Sequence, residues 1–180
     1  MILCSVSMAQ EPEEIVLEPS SLTPMVMHLD PVMVSRFQAD DGLEGDAERI
    51  RLLLHAAVED SFVSVALEEV PAFENYDAVI YLKSCPKTEL VGCAYVIGSR
   101  GNAEWVITGT VKRPISEGEI VLDDEEEEVI EGGPLNIETH ILDIKDSRVA
   151  LAFDAQVTPE TENFYAKTVV GIVSKLVEGE

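Results

Sequence analysis

The sequence predicts an α/β (α+β) fold, a mixed, twisted β-sheet flanked by helices, and three observations carry that prediction. An alternating segment at 25–37 precedes a stretch with helical spacing, Ile50, Leu53, Leu54, Ala57 and Val58. Residues 103–111 are apolar on both parities, at Trp105, Val106, Ile107 and Val111, as a strand covered on two sides requires. Finally, clean alternation at 149–157 leads into an amphipathic stretch, Tyr165, Val169, Ile172, Val173 and Leu176, that would cover one face of the sheet.

Residues 1–9 carry no charge and end in Ser7-Met8-Ala9, the small-x-small pattern that a signal peptidase reads. No Lys or Arg precedes the short apolar run, so it reads as the remnant of a signal peptide whose true start lies upstream. Residues 10–24, mostly Glu, Pro and Ser around Ile15-Val16-Leu17, bury too little to offset their ordering entropy and read as a flexible acidic tether. Residues 25–180 form the single mixed-sheet domain.

Within that domain Met25, Met27 and Leu29, then Val32, Val34 and Phe37, alternate in two phases, with Pro31 marking a bend or an edge position. Asp46 can cap the first helix, which runs to about Asp60. A strand follows at 62–67, then a connection at 68–75 broken by Pro71. Residues 77–99 look like strand by composition, yet Asn75 is a plausible cap and the apolar spacing at 90, 93, 94 and 97 is helical, ending at Gly98. Two short helices are therefore expected, the second packing on the strand 103–111, with Trp105 under a helix and Val106 toward the other layer. Gly109 would let a neighbouring backbone approach closely. Residues 115–122 continue as a hairpin partner. At 137–144 the alternation changes phase at Ile141-Leu142, as at a bulge, and Asp146-Ser147 is the turn into the next strand.

The charge balance restricts function more than the motifs do. With 35 acidic and 12 basic residues the formal charge is -23, which repels a duplex or an anionic leaflet. No run approaches the roughly 20 apolar residues of a membrane span. The G-x-S-x-G, G-x-x-x-x-G-K-[ST] and H-E-x-x-H patterns are missing, and His28, His55 and His140 lie on different elements without ligand spacing. The stretch Ile97-Gly98-Ser99-Arg100-Gly101 lacks the strand-then-helix context of an anion-cradling loop and reads as a turn.

From Ile115 to Glu131 nine of seventeen residues are acidic, with Asp123, Asp124, Glu125, Glu126, Glu127 and Glu128 in an unbroken run. The run reads as a solvated hairpin tip and a candidate docking strip for a basic partner; a cation site is the weaker reading, because the run neither alternates its ligands nor holds a turn glycine. Removing the leader deletes Cys4 and leaves Cys85 and Cys93, an even count that suits a disulfide in an oxidising compartment. Two reduced core cysteines are the competing reading, and seven intervening residues miss zinc-ligand spacing.

The stretch from Cys93 to Val111, with Ala103, Glu104, Val106, Ile107, Gly109 and Val111, resembles the helix-to-central-strand segment of the TolB amino-terminal domain and of related CsgG-like and LpoB-like envelope proteins. The stretch from His140 to Val149 is similar to the paired strands that follow in that family, without the glycine usual at their turn. The resemblance implies a TolB amino-terminal-domain-like sheet in the periplasm or cell envelope. It further implies a non-enzymatic module that docks onto a larger envelope assembly, takes no cofactor or metal, has other envelope proteins as partners and admits homo-oligomers. The competing functions are a small carboxylate hydrolase using Asp143 and Asp154 with His140, and an acidic cation-binding protein.

Overall fold

The computed structural model describes residues 28–71, 77–114 and 133–179. Strands β1 (His28–Ala39), β2 (Phe62–Val65), β3 (Trp105–Lys112), β4 (Leu135–Asp143) and β5 (Arg148–Val157) form one mixed sheet in the order β2-β1-β3-β4-β5. β1 lies parallel to both β2 and β3, and the remaining pairs are antiparallel. Helices α1 (Glu44–Glu59) and α4 (Glu162–Glu178) cover one face, while α2 (Ala78–Ser84) and α3 (Leu90–Arg100) cover part of the other. This division follows from connection handedness. The step from β1 to β2 runs outward, the step from β2 to β3 runs back over β1, and right-handed crossovers in opposite directions place their helices on opposite faces.

The larger core joins Val32, Phe37, Ile50, Leu54, Phe62, Trp105, Ile107, Ile137, Ile141 and Val169, all buried. Arg49 braces the two helices over it, donating from Nη2 to Glu162 Oε1 at 2.7 Å while also meeting Asp46 at 2.8 Å. The smaller core joins Met33, Leu82, Ala94, Ile97, Val106 and Leu142. Adjacent residues of β3 serve opposite layers, as expected, but with the helices exchanged: Val106, not Trp105, packs under α3, and Trp105 lies in the α1/α4 layer.

Several expectations are corrected. Pro31 marks a bend rather than an edge position: β1 is interior to the sheet, its pairing with β2 shifts register between His28 and Pro31, and the Pro31 carbonyl accepts from Glu104 N. The first helix begins at Glu44 after Leu43, which offers no side-chain cap, and Asp46 lies inside its first turn, where it pairs with Arg49. β2 stops at Val65, because the chain turns into a 3-10 segment at Leu67–Glu69. Asp77 caps α2, its side chain accepting from Ile80 N at 2.7 Å; Asn75 lies outside the described residues, as does the expected strand at 115–122.

The second short helix also departs at its end. α3 does not stop at Gly98 but continues to Arg100, because Gly98 is where the helix presses on the sheet. A Cβ there would overlap the Val106 side chain and approach Ile144 Cδ1 to 3.1 Å. Gly109 makes the close approach expected of it: a Cβ would overlap the Glu138 carbonyl oxygen and come within 2.6 Å of the Phe37 ring. The phase change at Ile141-Leu142 coincides with a break in the β4–β5 register. At the β4–β5 turn Ser147 adopts φ 55°, the left-handed conformation a glycine would take without strain.

Candidate functional site

Cys85 and Cys93 form a disulfide with their Cα atoms 6.5 Å apart. Cys85 follows the last residue of α2 and Cys93 sits in the first turn of α3, so the bond staples two short helices at their junction. Gln38 Nε2 donates to the Cys85 carbonyl at 2.8 Å, tying that junction to β1. Both sulfur-bearing residues are buried in the smaller core. The run Asp123, Asp124, Glu125, Glu126, Glu127 and Glu128, the leader at 1–9 and the tether at 10–24 lie outside the described residues.

The three groups of the hydrolase alternative do not converge. On β4, His140 stands opposite Thr108 of β3 and Asp143 opposite Trp105; three positions apart on one strand, they point to opposite faces. His140 Nε2 lies 3.0 Å from Glu138 Oε1, and Glu138 also receives Lys112 Nζ at 3.2 Å and Thr110 Oγ1 at 3.3 Å. The Lys112 bond foremost, and His140 after it, hold the Glu138 carboxyl below the usual carboxylate range. Asp143 instead clamps the β4–β5 turn, accepting from Asp146 N at 3.0 Å and from Arg148 at 3.4 Å. Asp154 is exposed and stands across from Glu138 on β5, carboxylate against carboxylate. Among the described residues no three His, Cys, Asp or Glu side chains gather as metal ligands, and no helix is long and apolar enough to cross a membrane.

What the sheet leaves uncovered is more distinctive. β5 is ten residues long and pairs only with β4 among the described residues, so its outer row of N–H and C=O groups meets no strand there. The smaller helical layer ends over β3 and the end of β4, leaving Ala152, Asp154 and Gln156 exposed on the face away from α4. Alternation at 149–157 reads as a strand with one buried side. Yet Val149 is 45% and Leu151 37% exposed, because the register break at Ala150 turns them toward different faces and neither is covered. Beside this bare face a groove of about 350 Å³ runs between Lys87, Leu90 and Val91 and the strand residues Thr110, Lys112, Glu138 and His140. Sequence reasoning missed this surface because what covers a strand is decided by the lengths of helices remote from it.

No family model matches the sequence, and no curated protein matches it. Several solved structures are similar in fold at a distance, among them the following three. TolB from Acinetobacter baumannii aligns at 12% identity and a TM-score of 0.48, covering 84% of this chain and 29% of that one, so the chain spans under a third of TolB's length. The PelC dodecamer from Paraburkholderia phytofirmans aligns at 11% identity and a TM-score of 0.47, covering 83% and 88% of the two chains. The LpoB C-terminal domain from Salmonella enterica aligns at 10% identity and a TM-score of 0.42, covering 74% and 85%. At these identities no residue role passes from those proteins to this chain.

Proposed function

We propose that this chain is a non-enzymatic interaction module of the periplasm or cell envelope, which docks onto a larger envelope assembly by taking an extended segment of a partner protein onto β5. The observation that carries the reading is the long outer edge of β5, with Val149 and Leu151 exposed beside an uncovered sheet face. An added strand satisfies that row of backbone groups, and side-chain contacts on alternate positions give selectivity. The disulfide supports an oxidising compartment, since such bonds persist there and are rare elsewhere.

The formal charge of -23 favours a partner segment with basic residues. A second copy of the chain is the less favoured occupant, because both copies would bring that charge and each edge carries Asp154. The acidic run Asp123 to Glu128 is proposed as an auxiliary docking strip for the same basic partner. Nucleic acid is opposed by the same charge.

Site-specific photo-crosslinking in envelope fractions tests the reading. A crosslinker replacing Leu151 should yield a discrete adduct with an envelope protein, whereas one replacing Leu52, exposed on α1, should not. Adducts from position 52 alone, or a β5 adduct only with a second copy of the chain, would contradict it.

A further inference from the structure

A second surface, distinct from the β5 edge, lies at the opposite side of the sheet. β1 and β2 are parallel neighbours whose following segments leave for opposite faces, into α1 and toward α2, and such a switch opens a crevice at the carboxyl ends of the strands. β2 ends level with Met33, while β1 runs on to Ala39, so the later half of β1 has no strand on its outer side among the described residues. The crevice there is a groove of about 270 Å³ with an apolar floor of Phe37, Ala39, Leu67 and Val79.

Three cations from three elements line it: Arg36 of β1, Arg51 of α1 and Lys83 of α2. In a chain with 12 basic and 35 acidic residues, that gathering is unusual for its composition. Arg51 is only 7% exposed. Its Nε and Nη2 fork onto Glu48 at 2.9 and 2.7 Å, Nη2 also lies 3.7 Å from Glu68 Oε1, and among the described residues its Nη1 is buried with no acceptor. Arg36 Nη1 is likewise buried with none. The other unpartnered buried side-chain atoms among the described residues, Ser35 Oγ, Gln38 Oε1 and Ser64 Oγ, belong to β1 and β2 residues outside the lining of the groove. Buried donors without acceptors are rare in folded proteins, and two guanidinium nitrogens of this kind, one from β1 and one from α1, on residues lining the same crevice mark a place where a polar ligand completes the structure.

We propose that this groove binds a carboxylate through Arg36, Arg51 and Lys83. The guanidinium edge matches a planar carboxylate. Glu44, Glu48 and Glu68 also line the groove, so a single negative charge is tolerated better than a phosphate dianion. The Arg51 hydrogen bond, with added attraction from Arg36 and Lys83, holds the Glu48 carboxyl below its usual range, which registers the positive potential in the groove.

Titration of isotope-labelled full-length protein with sodium acetate at constant ionic strength tests the site, with sodium chloride as control and inorganic phosphate as competitor. Acetate should shift the backbone amides of residues 36–39 and 79–83 saturably, and Arg36→Gln or Lys83→Gln should weaken binding about tenfold while leaving the remaining spectrum in place. These two variants are chosen because Arg51 also holds Glu48, so replacing it would disturb the fold. A peptide capped at both ends with one internal Asp distinguishes the carboxylate's source: binding as tight as acetate assigns the groove to an acidic side chain of another protein, and weaker binding assigns it to a free acid. Equal shifts from chloride, tighter binding of phosphate, or unchanged affinity in both variants would overturn the proposal.

Discussion

The two faces of the sheet are built differently. Under α1 and α4, of 16 and 17 residues, buried side chains come from all five strands and the apolar layer is continuous. Under α2 and α3, of 7 and 11 residues, the layer draws on Met33, Val106 and Leu142 and ends there. The first face stands on burial alone. The second needs a disulfide between its helices and a helix pressed onto the sheet at Gly98, and it leaves part of the sheet bare. The uncovered strand face and the groove beside it belong to the economical side, while the thick layer supplies the stability that holds them in place.

The largest effect should come from breaching the thick layer. Gly109→Ala places a methyl against the Glu138 carbonyl and the Phe37 ring, neither of which has room to withdraw. It should lose about 3 kcal/mol or more, read as a fall in denaturant midpoint with the whole protein unfolding together.

Breaking the staple of the thin layer should do less and act locally. Replacing Cys85 and Cys93 together by Ser, which opens a loop with a sequence separation of 8, should lower stability by about 2.5 kcal/mol in the chain-entropy model. Hydrogen exchange should quicken in α2 and α3 and stay slow in α1 and α4. Equal acceleration in all four helices would dissolve the distinction between the faces.

A smaller effect sharpens the comparison through pH. Tyr165 of α4 is buried against Thr139 with the two hydroxyl oxygens 2.6 Å apart, and burial pushes its phenol up to about 12. Its unfolded value is near 10, so the folded state favours the protonated phenol. The stabilisation is complete below about pH 10 and is lost as pH climbs toward 12. Tyr165→Phe should cost about 1 kcal/mol at neutral pH and flatten that alkaline loss, so that the gap between variant and parent closes in alkali. Parallel pH profiles for the two proteins would contradict the assignment.

Much of this architecture is legible in the sequence. The spacing at Ile50, Leu53, Leu54, Ala57 and Val58 shows α1, the break at Ile141-Leu142 shows the register shift, and the apolar positions at 90, 93, 94 and 97 show α3 against its strand-like composition. Gly98 misleads because a glycine in a helix has the same letter whether it ends the helix or makes room for a strand; only Val106 across the gap tells the two apart. The β5 surface and the Arg36–Arg51–Lys83 groove are not legible locally. Val149 and Leu151 alternate like core residues, and their exposure depends on how far the helical layer over each of the two faces reaches. The three cations meet only because β2 ends early and the β1–β3 register shifts between Val34 and Phe37, redirecting Arg36.

The central claim is that the outer edge of β5 is an open template for a partner strand. Amide hydrogen exchange on the dilute, isolated protein measures this residue by residue. Amides of β5 directed at β4 should be protected like those of β3, while the alternate, outward-directed ones exchange freely and become protected when the partner is added. Uniform protection along Arg148–Val157 in the isolated chain would mean that the edge is already covered, and the docking account would fail.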